Sequence, residues 1–291
     1  MNIIKAILLG IVQGITEFLP ISSSGHMSLF THFSGIDPQT SGLFSAMLHI
    51  GTLIAILITF YKPIYELFEE FFRILKDISS KKFNLRLKDM TETRRIFVMF
   101  FISCLPLLIL LIPIGNGKNI MDAVGVFSSD NSIKAEGICF MLTGFVLLLG
   151  AFSSEKTKRF MKITPVSALL IGIAQFFAAC FPGISRSGST ISTGLMCKVS
   201  KKNAVRYSFI LSVPAILASG LVEFKDAMES AQVVPVFPLL VGIVTSAVVG
   251  IFAIRLLQVI ITKNIFKYFG FYCLCLGFVV TIIGAIEVFV K

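Results

Sequence analysis

Charged residues are scarce in this chain, and their scarcity excludes most classes of soluble protein. Only 14% of the 291 residues are Asp, Glu, Lys or Arg, about half the share of a typical soluble domain. Hydrophobic residues make up 55%, which is more apolar surface than a water-soluble globule of this length could bury. The composition excludes a soluble enzyme and a disordered chain, and it predicts a helical membrane protein with several spans.

Acidic residues are the rarer charge, at 16 against 26 Lys and Arg, so the net charge is +10. A basic excess can indicate nucleic-acid binding, but most of these basic residues gather in four loops between apolar segments, at 62–95, 153–164, 198–206 and 257–265. That distribution is typical of the cytoplasmic loops of membrane proteins. We therefore expect membrane lipids as neighbours and no nucleic-acid partner.

Cysteine is also sparse, and no metal or targeting motif is evident. The six cysteines lie mostly in apolar runs, where a free thiol behaves as a small hydrophobic side chain. Cys273 and Cys275 lack the spacing and partners of a zinc site. Lys5 is the only early charge and no small-residue cleavage site follows it, so we expect no cleaved signal peptide.

Apolar segments separated by polar ones run along the whole chain and predict one all-α integral membrane domain over 1–291. Several approach the ~20 residues that a membrane helix needs. Polar, glycine-containing turns interrupt two of the apolar regions, at 20–26 and 182–190. We predict six transmembrane helices and two re-entrant helix hairpins. The predicted spans are 44–61, 96–114, 136–152, 204–222, 237–256 and 266–289, and the predicted hairpins are about 3–33 and 165–197.

The basic loops indicate that the second hairpin enters and leaves the membrane on one side. Loops 153–164 and 198–206 are both basic, so both should face the cytoplasm, and a single crossing between them would put one outside. Non-helical backbone at that depth is tolerated inside protein or beside a wet cavity. If the chain changes sides at each predicted span from these cytoplasmic loops, then loops 115–135 and 223–236 lie outside, together with both termini.

The two interrupted regions resemble each other, which predicts an inverted repeat. In each, a glutamine lies seven residues before a proline, and Ile-Ser-x-Ser-Gly follows; the matching stretches are Gln13–Gly25 and Gln175–Gly188. Three spans follow each region. We predict that residues 1–152 and 153–291 are inverted-topology repeats, an arrangement that places a binding site near the midplane between broken helices.

Two charged residues lie deep within the predicted hairpins. Glu17 is the one acid well inside an apolar run, and Arg186 is the only Lys or Arg inside the second hairpin. Charges at that depth are costly and usually functional, although a structural ion pair between them is the alternative. Gln13 shares a helix face with Glu17, and the two side-chain oxygens could hold a hard divalent cation, Mg²⁺ or Ca²⁺, together with water and substrate phosphates.

Serine and glycine open the second half-helix of each hairpin. Free N–H groups and the positive dipole end of a helix bind anions, and Arg186 adds a planar fork suited to phosphate oxygens. Two such helix ends beside a cation predict a diphosphate ligand; ordinary helix capping is the alternative. The candidate phosphate-binding residues are Ser22, Ser24, Gly25, Ser185, Ser187, Gly188 and Thr190.

Ser23 and His26 are three residues apart, so they can meet on one helical turn. We predict Ser23 as a nucleophile and His26 as its base, with Glu17 and Arg186 completing the catalytic set. Direct attack by His26, or by a water molecule held by the cation, stays open. His49 is expected to be structural or to line the cavity.

At these residues the chain resembles the undecaprenyl-diphosphate phosphatase family of bacterial inner membranes, which is linked to bacitracin resistance. The resemblance covers essentially the whole chain. The family's first motif, Glu/Gln-x-x-x-Glu followed by Pro-x-Ser-Ser-x-Gly-His, reads Gln13 to His26 here. The second, Pro-Gly-x-Ser-Arg-Ser-Gly-x-Thr, reads Pro182 to Thr190. The chain departs at Ser45, where many members carry Asp, and Gln13 takes the amide form of its position.

The resemblance implies hydrolysis of undecaprenyl diphosphate to undecaprenyl phosphate and inorganic phosphate, which recycles the lipid carrier for cell-wall synthesis. It implies a divalent cation, a place in the bacterial plasma membrane and a site open to the outer face. It maps the family's acidic pair to Gln13 and Glu17, its serine to Ser23, its histidine to His26 and its arginine to Arg186. The oligomeric state stays open, with a homodimer as one alternative.

Rival functions are a secondary transporter or flippase for a polyprenyl phosphate lipid, which the inverted repeat alone would suit, and a type 2 phosphatidic acid phosphatase. A transporter needs no Ser–His pair beside an arginine and a cation site. The type 2 superfamily needs a Ser-Arg-x₅-His-x₃-Asp block, and Ser192 stands at its histidine position. A purely structural scaffold would leave Glu17 and Arg186 unexplained.

Overall fold

The computed structural model of the protein describes residues 2–36, 38–81, 86, 89–115, 118–120, 133–181, 183–229, 235–263 and 265–290. The helices in these ranges are α1 (Ile3–Thr16), α2 (Ser23–Ser34), α3 (Pro38–Thr59), α4 (Tyr61–Ser79), α5 (Glu92–Cys104), α6 (Lys134–Lys156), α7 (Pro165–Cys180), α8 (Arg186–Met196), α9 (Lys201–Glu229), α10 (Val236–Thr262) and α11 (Phe266–Val290). A 3₁₀ segment, Leu105–Leu111, continues α5, and the strands Pro113–Gly115 and Lys118–Asn119 pair antiparallel after it.

Long apolar helices confirm the predicted all-α membrane fold. In the described part of the chain, five helices are long and apolar enough to cross a membrane: α5 with its 3₁₀ continuation, α6, α9, α10 and α11. α3 and α4 form a sixth candidate as a pair bent by 83°. Five of the six predicted spans therefore correspond to these single helices, and the sixth, 44–61, corresponds to α3 up to its bend into α4.

Helix α4 corrects the prediction that region 62–95 is a loop. Its many charges suggested a loop, but they recur every three or four residues and share one face, opposite an apolar face. Arg94 of α5 holds that charged face, because its Nε donates to Glu70 Oε1 and its Nη2 to Asp77 Oδ2, both at 2.6 Å. The charges therefore fasten an amphipathic helix to α5.

Both predicted hairpins are present as pairs of short helices. α1 and α2 are joined by the turn 17–22, and α7 and α8 by the turn 181–185, in which Pro182 lies outside the described residues. The longest of the four helices, α7, has 16 residues, which at 1.5 Å per residue extends about 24 Å. That is shorter than the ~30 Å hydrocarbon core, so none of the four crosses alone, in keeping with re-entrant hairpins.

Helix packing relates the two halves of the chain. α1 packs against α10 and α7 against α5, while α3 pairs with α9 and α6 with α11. In the predicted repeat, α1 is equivalent to α7, α5 to α10, α3 to α9 and α6 to α11. The α1–α10 and α7–α5 contacts are therefore equivalent to each other, and the other two contacts each join a pair of equivalent helices, as a two-fold repeat requires. This pattern supports the inverted repeat, which stays a prediction together with its division after residue 152.

Small residues bring the first hairpin close to α10. A Cβ added to Gly10 would lie 2.7 Å from the Gly242 carbonyl oxygen, and one added to Gly14 would lie 2.8 Å from that of Ser246. Such close helix approaches are typical of membrane interiors. The turn after α1 is anchored beside this contact by Phe18, which is fully buried and packs edge-to-face on Phe209 with ring centroids 5.7 Å apart.

Cysteine labelling tests the same-side exit of the second hairpin. Lys158 and Lys202 flank it and are both exposed, so Lys158→Cys and Lys202→Cys should each react with a membrane-impermeant maleimide only after cells are permeabilised. Pro235→Cys, before α10, should react in intact cells, and the parent protein reports background from native cysteines. Labelling of residues 158 and 202 from opposite sides would contradict the hairpin.

Candidate active site

The first serine-rich turn is held by a strained cap. Ser22 precedes α2, and its Oγ accepts a hydrogen bond from the Gly25 N–H at 3.3 Å. Its φ is +72°, a conformation that costs a side-chain-bearing residue on the order of 1–3 kcal/mol and concentrates at functional sites. The turn brings Ser23 Oγ back to 2.7 Å from Glu17 Oε2 at the end of α1.

The second turn has the same local geometry. Ser185 precedes α8, and its Oγ accepts from the Gly188 N–H at 3.0 Å. In both turns the capping hydroxyl lies 3.4 Å from the hydroxyl two residues further on, which belongs to Ser24 or Ser187. The sequence similarity between the turns therefore corresponds to one shared backbone arrangement.

Reciprocal hydrogen bonds join the two turns. Ser24 Oγ accepts from the Gly183 N–H at 3.1 Å, and Ser187 Oγ donates to the Leu19 carbonyl oxygen at 3.4 Å. Ser24 and Ser187 occupy matching positions in the two turns, so each turn holds the other through its equivalent serine. The starts of α2 and α8 consequently lie side by side.

Glu17 is the point at which the two hairpins meet, and it is only 5% exposed. Its Oε2 accepts hydrogen bonds from Ser23 Oγ at 2.7 Å and from Gln13 Nε2 at 3.1 Å, and His49 Nε2 lies 3.7 Å away. Its Oε1 accepts from Arg186 Nη2. A buried carboxylate needs such partners, and here they come from both halves of the chain.

Arg186 forms the other half of this ion pair and stays partly exposed to solvent. It is the first residue of α8, and its side chain keeps 20% of its exposed area, against 4% for that of Glu17. One edge of the guanidinium is therefore turned to the carboxylate, while other N–H groups are accessible. Arginine presents five such donors in a fixed fork.

Backbone N–H groups add further hydrogen-bond donors between the turns. Within the described ranges, the N–H groups of Ser23, Ser24, Arg186 and Ser187 have no hydrogen-bond partner. The first N–H groups of a helix have no intrahelical acceptor, and together with the helix dipole they favour an anion. Two such helix starts and Arg186 converge at the same place.

Several of the predicted phosphate-binding hydroxyls are buried and hydrogen-bonded within the protein. Thr190 is buried, and its Oγ1 lies 2.9 Å from the Arg186 carbonyl oxygen and 2.6 Å from Ser208 Oγ of α9. The hydroxyls of Ser22 and Ser185 cap their helices. Ser24 is the exposed member of the set. The turns would therefore reach a phosphate mainly through their backbone.

His26 does not pair with Ser23 as predicted from the sequence. Its Nδ1 lies 2.7 Å from the Ser22 carbonyl oxygen and its Nε2 lies 2.7 Å from Tyr272 Oη. A carbonyl only accepts, so in the neutral ring Nδ1 donates to Ser22 and Nε2 accepts from the Tyr272 hydroxyl. Ser23 instead turns toward Glu17, because the end of α1 lies beneath it.

A buried amide oxygen beside Glu17 remains without a partner. Within the described residues, Gln13 Oε1 has no hydrogen bond, and in its repeat equivalent Gln175 neither amide atom has one. Leaving such a group unpaired costs about 1–3 kcal/mol. Beside a carboxylate, an unpaired amide oxygen suits a cation.

Three residues around the site carry no local signal in the sequence. Tyr272 of α11 holds His26 across 246 positions of the chain, and Thr143 of α6 accepts a hydrogen bond from the Ser185 N–H at 3.0 Å. His49 of α3, which could have been structural, lies beside Glu17. Only the tertiary packing of their helices brings them to the turns.

The chain is similar to known proteins over nearly its whole length. Residues 6–279 match the family described as bacitracin resistance protein BacA. The undecaprenyl-diphosphatase of Halothermothrix orenii is 34% identical over 98% of this chain and 100% of its own. The undecaprenyl-diphosphatase of Methanosphaera stadtmanae is 36% identical over 98% and 99%, and undecaprenyl-diphosphatase 1 of Corynebacterium jeikeium is 32% identical over 96% and 94%.

Proposed function

Because this chain belongs to the bacitracin resistance protein BacA family, we propose that it hydrolyses undecaprenyl diphosphate to undecaprenyl phosphate and inorganic phosphate. The relatives that share its whole length carry the name of this activity. In the chain itself, the observation that carries the proposal is the meeting of two anion-binding helix starts with Glu17, Ser23 and Arg186. The reaction would recycle the lipid carrier for cell-wall synthesis.

The diphosphate binds where α2 and α8 begin. The free N–H groups of the two turns and the guanidinium of Arg186 supply donors for the phosphate oxygens. Ser22, Ser185 and Ser187 act indirectly, because their hydroxyls fix the turns that present those N–H groups. Donors held in place before the substrate arrives stabilise charge that develops on the transferred phosphoryl group.

Ser23 is the group best placed to attack. Its Oγ already donates to Glu17 Oε2 at 2.7 Å, so Glu17, rather than His26, accepts the proton as Oγ bonds to the terminal phosphorus. The bond from that phosphorus to the bridging oxygen breaks, and undecaprenyl phosphate leaves with the electron pair. Water then cleaves the phosphoserine, releasing inorganic phosphate and returning the proton to Ser23 Oγ.

Arg186 couples substrate binding to the strength of this base. Without substrate its guanidinium neutralises Glu17, which weakens the carboxylate as a proton acceptor. Phosphate oxygens compete for the same guanidinium N–H groups and are themselves strong partners for arginine. As Arg186 moves onto phosphate, Glu17 is released from the guanidinium, and its Oε2 stays bonded to Ser23 Oγ and can accept the proton.

A divalent cation, Mg²⁺ or Ca²⁺, fits Gln13 and Glu17. The support is the unpaired Gln13 Oε1, which would face the carboxylate if the amide turned and gave up the hydrogen bond from Nε2 to Glu17 Oε2. The described residues contain no cluster of three His, Cys, Asp or Glu side chains, so water and substrate phosphates would supply the other oxygens. Such an ion would neutralise charge on the diphosphate.

The protein is a multi-pass membrane protein, and we place it in the bacterial plasma membrane with the site open to the outer face. The basic loops 153–164 and 198–206 support this orientation, because basic loops stay on the cytoplasmic side. A flippase or transporter for a polyprenyl phosphate lipid is the second candidate, which the paired hairpins favour. A homodimer stays an open alternative.

Phosphate release tests the proposed reaction. Purified protein given undecaprenyl diphosphate and Mg²⁺ or Ca²⁺ should release inorganic phosphate, and Glu17→Gln should lower the rate by about 10²-fold or more because the base and cation ligand are lost. Glu155→Gln, at a partly exposed carboxylate paired with Lys267, is the matched control. Movement of the lipid between leaflets without phosphate release would favour the transporter.

A trapped phosphoenzyme tests the nucleophile. Substrate labelled on the terminal phosphate should leave label on Ser23 in rapidly quenched samples, and Ser23→Ala should remove it while Ser24→Ala keeps it. Quenching in acid and in base covers phosphoserine and phosphohistidine, respectively. Label on His26 would overturn the serine assignment, and absence of label in single-turnover samples would leave water as the attacking group.

Replacing Arg186 by lysine tests its role on phosphate. Lysine keeps the charge but loses the bidentate fork, so Arg186→Lys should lower the hydrolysis rate by about 10²-fold, with membrane insertion unchanged. Arg73→Lys, at a surface arginine of α4, controls for the substitution itself. Activity of Arg186→Lys within a few-fold of the parent would make Arg186 only a counter-ion for Glu17.

A further inference from the structure

A cavity lined by charged side chains lies outside the candidate active site, between α4, α5 and the start of α9. Its volume is about 230 Å³, and its charged wall residues are Glu66 of α4, Glu92 of α5 and Arg206 of α9. A smaller cavity adjoins it through Ile96 and Arg206 and is lined by Arg95 and Lys162. The combined space is far larger than a single water requires.

The cations of this cavity are only partly neutralised. Arg206 Nη2 is 3.9 Å from Glu66 Oε2, and its buried Nε has no hydrogen-bond partner among the described residues. Arg95 donates through Nε to the Ile163 carbonyl oxygen at 2.9 Å. Within the part of the chain that the structure describes, neither Arg95 nor Lys162 forms an ion pair.

Acids near the cavity do not cancel these charges. Glu70 and Asp77 of α4 pair with Arg94 and are not lining residues, so Glu66 and Glu92 are the carboxylates in the cavity wall. Three basic side chains therefore face two acidic ones. The excess of hydrogen-bond donors suits an anion.

The position of α4 favours a lipid as the source of an anion that would bind in this cavity. α4 turns by 83° from α3, and one of its faces exposes large apolar side chains while the opposite face carries its charges. An amphipathic helix of this kind lies in the membrane interface. The exposed apolar residues are Tyr61, Tyr65, Phe68, Phe71, Phe72, Leu75 and Ile78.

We propose that this cavity binds the phosphate headgroup of an anionic membrane lipid, whose hydrocarbon chains lie along the apolar face of α4. Arg95, Lys162 and Arg206 contact the headgroup, and the site lies at the basic, cytoplasmic end of the helices. Basic pockets between membrane helices on that side are suited to anionic headgroups. The proposal does not depend on the hydrolytic reaction.

The chain contains no tryptophan, so a single introduced one can report lipid contact. Phe71 lies on the exposed apolar face of α4, with its ring 6.3 Å from that of Phe97 on α5, and Phe71→Trp keeps an aromatic side chain there. In phosphatidylcholine bilayers, brominated phosphatidic acid should quench this tryptophan more strongly than brominated phosphatidylcholine at the same mole fraction.

Charge variants test the headgroup contacts. Arg95→Gln with Arg206→Gln should lower the preference for phosphatidic acid by about fivefold per charge removed. Lys156→Gln with Lys158→Gln, at two exposed basic residues outside the cavity, should leave it unchanged, and Arg95→Lys with Arg206→Lys should keep most of it. Retained hydrolysis and thermal stability confirm that each variant is folded.

Two outcomes would overturn the proposal. One is equal quenching by the two brominated lipids, or an equal loss in the cavity and control variants. The other is displacement of phosphatidic acid by millimolar inorganic phosphate at constant ionic strength, which would identify a site for a soluble anion instead of a lipid headgroup. The lipid site is supported if the preference for phosphatidic acid over phosphatidylcholine persists in inorganic phosphate and decreases only in the cavity variants.

Discussion

A buried ion pair between Glu17 and Arg186 connects the two hairpins, and the geometry of the candidate site depends on it. Removing charges from water is expensive, and the attraction between them compensates only when further hydrogen bonds satisfy the pair. Gln13 and Ser23 supply those bonds, with His49 nearby. The strained cap at Ser22 and the reciprocal contacts of Ser24 and Ser187 hold the two turns in fixed positions on either side of this ion pair.

The same interaction that holds the hairpins together also gives the site its chemistry. An arginine that neutralises a carboxylate at rest can transfer to a phosphate, and the freed carboxylate can then accept a proton from the adjacent serine. Binding energy from the diphosphate is thereby used to activate the nucleophile. Closely packed glycines, such as Gly10 and Gly14 against α10, provide the rigid surroundings that such positioning requires.

The sequence predicts much of this arrangement and misses what depends on side-chain direction. Long apolar runs, the basic loops and the paired Ser-Gly turns predict the spans and both hairpins, because bilayer thickness and charge leave few alternatives. The number of charges in 62–95 favours a loop, whereas their spacing of three or four residues indicates the amphipathic helix α4. Spacing places Ser23 and His26 on one turn, but Glu17 and Tyr272 decide where each side chain points, and Tyr272 is distant in the chain.

A structure of the protein with a non-hydrolysable diphosphate lipid analogue and a divalent cation tests the central claim most directly. The account predicts that Arg186 leaves Glu17 for the terminal phosphate, that the N–H groups of Ser23 and Ser24 contact its oxygens, and that Ser23 Oγ lies in line with the terminal phosphorus while still bonded to Glu17. An analogue bound away from the two turns, with Arg186 still paired to Glu17, would contradict it.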